Sequence, residues 1–242
     1  MTSAGTDMDG PEMPSLETLE ARLAYTFQDR SLLELALRHA SFAHELTEES
    51  NERLEFLGDS VVGFVVAHFL FEAHPTWSEG DLTRALSALV DRKGLAHAAR
   101  TLELGRHLRL GRTERRSEGE AKASILANAA EAVFAAVFLD GGLEPARALA
   151  RVLFPSALDP RAPRVEADPK TRFQEQVMSR FSEFPRYELA SDSEIEGDEG
   201  RFTVRALVCG DEWSRGSGRS KRSAEQAAAL SALEAHREEL GG

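Results

Sequence analysis

From Ser15 to Leu153 apolar residues recur at helical spacing, first as Leu16, Leu19 and Leu23, then as Leu32, Leu33, Leu35 and Ala36. Intervals of three and four put such residues on one helix face, and β-branched runs bounded by turns are few, so the region reads as all-α. Ser78 precedes Glu79-Gly80-Asp81 and an amphipathic stretch to about Leu102, which predicts one long helix with acids in its first turn. Another helix begins near Glu120 and ends at Gly141-Gly142. Between Phe154 and Pro169 the periodicity stops. Pro155, Pro160, Pro163 and Pro169 interrupt a polar segment there, which predicts a linker that forms neither helix nor paired strand.

Past that point Thr171 to Phe181 reads as a helix, and Tyr187 to Ala190, Arg201 to Cys209 and Glu212 to Gly216 read as short strands. Phe202, Val204, Ala206 and Val208 alternate with polar neighbours as one face of a half-buried strand does. An alanine-rich helix from Ser223 to Leu240 closes the chain. The expected organisation is a disordered tail at 1–14, an all-α domain at 15–154, a linker at 155–168 and a small α+β module (α-β-β-β-α) at 169–242.

With 242 residues, 42% hydrophobic and 29% charged, the composition is that of an ordinary globular protein. The single cysteine, Cys209, excludes an internal disulfide and any Cys-rich zinc site, and fits a reducing compartment. Met1 to Pro14 has no apolar core, so neither a signal nor a transit peptide is expected there. The longest apolar stretch, Val61 to Phe71, contains His68 and falls short of the ~20 residues a membrane span needs. A cytoplasmic protein without a membrane partner is expected. The net charge of −12 argues on average against a nucleic-acid partner. Local charge decides binding, however. Acids gather at Glu45 to Glu55 and Asp192 to Glu199, bases at Arg106 to Arg116 and Arg215 to Arg222.

Chemistry enters with the run Asn51-Glu52-Arg53-Leu54-Glu55-Phe56-Leu57-Gly58-Asp59-Ser60. Helical spacing puts Glu52, Glu55 and Asp59 on one face, among Leu54, Phe56, Leu57, Val61 and Val62, which favour burial. Clustered like charges destabilise a helix unless a cation neutralises them, and for oxygen ligands that cation is a hard divalent ion such as Mg²⁺. Gly58 adds a close-packing position on the same helix. In Ile125-Leu126-Ala127-Asn128-Ala129-Ala130-Glu131, Asn128 and Glu131 share a helix side. Two facing helices would then offer Glu55, Asp59, Asn128 and Glu131 to one ion and leave positions open for substrate. Water beside such a cation loses its proton more readily. His39, His44, His68 and His74 show no metal-like pairing. Neither a Ser-His-Asp arrangement nor a Gly-rich phosphate loop is present, and no organic cofactor is expected.

The run NERLEFLGDS resembles the signature of the ribonuclease III family, and residues 15 to 240 fit that resemblance. It implies a homodimeric, Mg²⁺-dependent endoribonuclease, with Mn²⁺ as the alternative ion, that cuts double-stranded RNA to 5′-phosphate and 3′-hydroxyl ends. It also implies processing of ribosomal and other precursor RNAs. By the same resemblance Glu55, Asp59 and Glu131 match metal-binding carboxylates, with Asp59 and Glu131 catalytic, and Glu52 and Glu79 match accessory acids beside the scissile site. Phe56 matches the residue that inserts into a socket on the partner subunit. Asn128 departs from the pattern: it stands where the family commonly has an aspartate. An amide ligates through its carbonyl but brings no charge, so weaker metal binding is expected. The competing reading is therefore a double-stranded RNA-binding protein that keeps the nuclease fold and cuts poorly.

Gly216-Ser217-Gly218-Arg219-Ser220-Lys221-Arg222-Ser223-Ala224-Glu225-Gln226-Ala227-Ala228 is similar to the end of a double-stranded RNA-binding domain. Ser220, Lys221, Arg222 and Ser223 at a helix N-terminus offer N–H groups, hydroxyls and two cations to phosphates. Thr171, Gln174 and Glu175 match the residues that touch the minor groove in such domains. The Ser191 to Gly200 loop is acidic and lacks the usual Gly-Pro-x-His, which predicts modest affinity. Arg106, Arg109, Arg112, Arg115 and Arg116 lie between two predicted helices, either along the RNA backbone or as a solvated loop.

Overall fold

The computed structural model describes residues 14–240, so the tail expected at 1–14 lies, but for Pro14, outside the described residues. Two compact units divide the chain between Val165 and Glu166. The first is built from α1 (Leu16–Leu23), α2 (Arg30–Ala36), α3 (Ala40–Leu46), α4 (Glu52–Ala73), α5 (Glu79–Val90), α6 (Arg92–Thr101), α7 (Arg112–Arg116), α8 (Ala123–Gly141) and α9 (Leu143–Leu153).

Helix α8 is apolar on nearly every side, from Ile125 through Val137, which makes it the centre of the unit. Its alanines let neighbours approach closely. Val61, Val62, Val65, Val66 and Phe69 of α4 share one cluster with Ala129, Val133 and Phe134 of α8. Each large side chain buried there contributes about 1.5–3 kcal/mol. The stretch read as Val61 to Phe71 belongs to a longer helix: α4 and α8 reach mean hydropathies of 1.6 and 1.5, long and apolar enough to cross a membrane. Their membership of one protein core accounts for that composition. Asp140, near the end of α8, accepts hydrogen bonds from Tyr25 Oη (2.6 Å) and from the Gln28 and Asp29 backbone N–H groups (both 2.8 Å). These tie the α1–α2 turn to the central helix.

Three expectations about the elements of the first unit require correction. The single helix expected from Ser78 to about Leu102 is two, because Asp91 leaves the helical conformation (ψ 170°) and its carboxylate accepts from Lys93 N (2.9 Å) and Gly94 N (2.8 Å). A side chain–backbone cap there overrides an apolar period that runs on without interruption. The helix expected from Glu120 begins at Ala123, after a 3-10 turn at Gly119–Ala121. The segment after Phe154 is also more ordered than its prolines predict: Pro155–Leu158 forms a 3-10 turn whose Ala157, with Phe154, is buried in the helical core. Proline tolerates the first turn of such a helix, where its missing N–H has no partner to lose.

The second unit runs α10 (Pro169–Phe181), β1 (Arg186–Asp192), β2 (Phe202–Val208), β3 (Asp211–Gly218) and α11 (Lys221–Ala235). The strands form an antiparallel sheet in the order β1-β2-β3. In β2 the alternate residues Val204, Ala206 and Val208 are buried, as the period of two requires. Ala206 and Val208 pack with Phe173 and Val177 of α10 and Ala228, Ala229 and Ala232 of α11. The closing helix needs its alanines because β3 lies almost on it: a Cβ built on Gly216 would stand 2.0 Å from the Ala228 backbone nitrogen. α11 ends at Ala235, short of the expected Leu240, although Leu240 is itself buried against the same core.

Candidate active site

The anchoring of Asn51 fixes where α4 starts, and the start fixes which way its acids face. Asn51, only 3% exposed, donates from Nδ2 to Ala36 O (3.0 Å) and from its backbone to Arg38 O (2.9 Å), anchoring the helix entry to the end of α2. From there Leu54, Gly58, Val61 and Val62 turn inward while Glu52 and Asp59 stay exposed and Glu55 lies half-buried between them. Opposite them, α8 buries Ala127, Ala129 and Ala130 and leaves Asn128 and Glu131 partly open.

The two helices meet where they must for a shared site. A Cβ on Gly58 would fall 1.8 Å from the Glu131 carbonyl oxygen, so the backbones touch at the residue that bears the half-buried acid. Glu52, Glu55, Asp59, Asn128 and Glu131 line one cavity of about 440 Å³ together with His39, Ala40, Asn51 and Phe56. Burial first, then the charges of Asp59 and Glu55, push the Glu131 carboxyl up to about 7. Burial also raises Glu55, with Glu52 adding to the shift and the Asn128 amide opposing it. Among the described residues no three His, Cys, Asp or Glu side chains have closed into a ligating set. Acids that repel one another across a half-buried cavity are the donor set a hard divalent cation fits. To such an ion Glu55, Asp59 and Glu131 would offer carboxylates and Asn128 an amide oxygen.

The repulsion predicts a pH effect. Because the folded protein holds the Glu131 proton more tightly than the unfolded chain does, the associated stability is complete below about 4.5 and is lost as pH rises through about 7. Glu131→Gln removes that loss. In the presence of EDTA its melting temperature should exceed the parent's at pH 8 and match it at pH 4.5; coincident melting at both values would contradict the cluster.

Not every expected residue reaches this cavity. Glu79 lies in the first turn of α5, accepts from Thr83 Oγ1 (2.9 Å) and lines a separate apolar cavity of about 590 Å³ with Leu70, Phe71 and Trp77. Glu52 borders the acid cavity, with its carboxylate accepting from Ser50 Oγ (2.7 Å). His39, which shows no metal-like pairing in the sequence, is a wall of the cavity. Of the basic run, Arg109 pairs through its backbone with residues 37–39, and Arg112, Arg115 and Arg116 belong to α7.

In the second unit Ser220 caps α11 in a reciprocal box with Ser223, their hydroxyls engaging each other's backbone N–H groups (3.0 and 3.1 Å). Lys221 and Arg222 are exposed in the first turn. Gln174 and Glu175 are exposed on α10, while the Thr171 hydroxyl donates to the capping Asp168 (2.7 Å). In the acidic loop Asp192 pairs with Arg201 (2.9 Å), and Asp198 accepts from Ser193 Oγ (2.7 Å) and Gly200 N (2.9 Å). Part of its charge is thus held locally.

Residues 29–156 match the Ribonuclease-III-like family, more than half of the chain, and residues 169–236 match the double-stranded RNA binding motif. The chain belongs to the ribonuclease III family. It is 43% identical over 227 residues to "Ribonuclease 3" of Syntrophotalea carbinolica, covering 92% of this chain and 97% of that one. It is 44% identical over 224 residues to "Ribonuclease 3" of Geobacter sulfurreducens, covering 91% and 90%. The nuclease domain of ribonuclease III from Campylobacter jejuni superposes with a TM-score of 0.56 at 38% identity, over 64% of this chain and all of that one. A second structure of that domain, concerned with flexibility in the region involved in dimer formation, gives 0.55 at 40% identity over 58% and 97%. This ribonuclease III-family chain is accordingly a double-strand-specific endoribonuclease, with a helical nuclease unit and an RNA-binding unit of three antiparallel strands flanked by helices. Nucleases of the family depend on a metal ion.

Proposed function

We infer that the protein is a Mg²⁺-dependent endonuclease that cuts RNA duplexes to 5′-phosphate and 3′-hydroxyl ends, acts in the cytoplasm on ribosomal and other precursor RNAs, and works as a homodimer. The convergence of Glu55, Asp59, Asn128 and Glu131 on one cavity, at the Gly58–Glu131 backbone contact, carries this reading. Glu55, Asp59 and Glu131 would hold the ion through carboxylates and Asn128 through its side-chain carbonyl. A divalent ion bound there supplies stabilisation of phosphate charge and lowers the cost of deprotonating water. Before an ion binds, burial and the neighbouring acids push the Glu131 carboxyl up to about 7, so ion binding would release that proton and free the carboxylate to ligate. Glu52, at the cavity edge, orients what enters it. Glu79 serves as an accessory acid only where a second protomer brings it to the scissile strand.

The homodimer is supported by Phe56, 81% exposed at the cavity rim, and by Phe64 and Phe71, also exposed on α4. Aromatic residues so placed on a water-soluble surface favour burial against a partner. Two symmetry-related sites would cut opposite strands. Lys221 and Arg222 at the start of α11 meet phosphates, and α10 presents Thr171, Gln174 and Glu175 to the minor groove.

A second reading, a duplex-binding protein that cuts weakly, is favoured by one observation. Asn128 leaves the cluster an anion short beside Glu55. Asn128→Asp should lower the Mg²⁺ concentration for half-maximal cleavage about tenfold, the effect of one added charged ligand at a site of this kind. Cleavage of a labelled duplex across a Mg²⁺ series decides between the readings. Cutting by the parent supports the nuclease, and binding without cutting at any Mg²⁺ concentration supports the second reading.

A further inference from the structure

The loop before α3 contributes a wall of the acid cavity that the metal-site reading leaves without a role. His39 lines the cavity, and its backbone is held in place because its N–H donates to Arg109 O (3.1 Å) while Arg109 N–H donates to Leu37 O (2.9 Å). The ring is fixed as well. Ser41 approaches Nδ1 twice, with its backbone N–H at 3.2 Å and its hydroxyl at 2.8 Å, and that hydroxyl also accepts from Gly111 N (2.9 Å). A backbone N–H can only donate, so Nδ1 must accept, and the proton of the neutral ring sits on Nε2. Nε2 has no hydrogen-bond partner among the described residues. Burial holds the imidazole below its ordinary pKa, outweighing Glu114 and Glu52, which favour its charge, while Lys122 adds to the lowering. The ring is therefore neutral at pH 7.

We propose that His39 is a substrate-contacting residue of this nuclease, donating a hydrogen bond from Nε2 to an oxygen of the RNA phosphodiester bound in the cavity. The proposal rests on the assignment of that cavity as the active site. A neutral donor suits the position for an electrostatic reason. It reaches an anionic oxygen without cancelling the carboxylate charge that a divalent cation needs, whereas a lysine or arginine in its place would form an ion pair with the acids. Two rigid anchors, the Arg109 pairing and the Ser41 cradle, place the donor before substrate arrives, so little ordering accompanies binding.

Asparagine and glutamine separate the two ring nitrogens. His39→Asn keeps an acceptor for the Ser41 N–H and remains a good helix cap, but does not reach the Nε2 position. His39→Gln extends an amide N–H towards that position. Single-turnover cleavage of a duplex RNA should fall about 10- to 100-fold in His39→Asn with melting unchanged, the size expected for one lost hydrogen bond to a charged oxygen. His39→Gln should recover to within about fivefold of the parent. In the full-length Asp59→Asn protein, imidazole ¹⁵N spectra should show the Nε2–H tautomer, with its signal shifted by added duplex. Parent-like cleavage by His39→Asn, failure of His39→Gln to recover, or a proton on Nδ1 would overturn the proposal. Undiminished cleavage by Asp59→Asn would instead reject the active-site assignment beneath it.

Discussion

Gly58→Ala should unfold at a temperature about 6–12 °C below the parent and cleave duplex RNA about 100-fold more slowly when assayed below its melting point. Alanine is the better helix former by about 1 kcal/mol, so propensity alone predicts the opposite sign. Packing decides the outcome. The added methyl would stand 1.8 Å from the Glu131 carbonyl oxygen, and that atom is backbone, which no rotamer change can move. Relief requires α4 and α8 to separate by more than an ångström along the contact that centres the core. Overpacking of this kind costs about 1–3 kcal/mol where side chains can yield and more where they cannot. Activity suffers independently, since Glu55 and Asp59 would leave Glu131 by the same distance, and misplacement of about an ångström typically costs about two orders of magnitude. Unaltered melting and cleavage together would show that the helices do not meet as described.

Asp59→Asn should reduce cleavage by on the order of 10³-fold or more, without loss of stability. Asp59 is exposed and belongs to no buried network, so the fold does not need it, and its charge helps to raise Glu131. Removing that charge relieves repulsion inside the metal-free cavity, so the melting temperature in EDTA should hold or rise. Calorimetry with added Mg²⁺ should show weakened binding, because a carboxylate has been replaced by a neutral amide. This pattern, a stable protein without activity, is opposite to that of Gly58→Ala, where both are lost. An Asp59→Asn protein that cuts at the parent rate would remove the carboxylates from the chemistry.

Much of this site is legible from spacing because it is local. Glu55 and Asp59 are one helical turn apart, as are Asn128 and Glu131, and each pair sits among residues that bury a helix face. That the two helices bring them to one cavity follows from apolar patterns strong enough to make α8 the core. His39 was illegible for the opposite reason. Its position depends on a backbone bridge between residues 38 and 109 and on a Ser41–Gly111 hydrogen bond, contacts some 70 residues apart with no period to betray them. The break at Asp91 was hidden by an apolar rhythm that continues across it, although an aspartate two and three residues before the N–H groups it caps is a signal that capping rules can find. For Glu79, resemblance supplied a role but could not supply a location, and one protomer places it on a different cavity.

The Asp168 carboxylate caps α10 through the Lys170 and Thr171 N–H groups and also accepts from Gln226 Nε2 (2.6 Å) on α11; beside it Lys170 Nζ pairs with Glu225. One residue just ahead of the first helix therefore clasps the last. A fragment excised from Glu166 onward carries its own clasp, whereas one begun at Pro169 leaves Gln226 reaching for an absent oxygen and loosens both ends at once. The length at which the RNA-binding half can be cut free is written in that carboxylate.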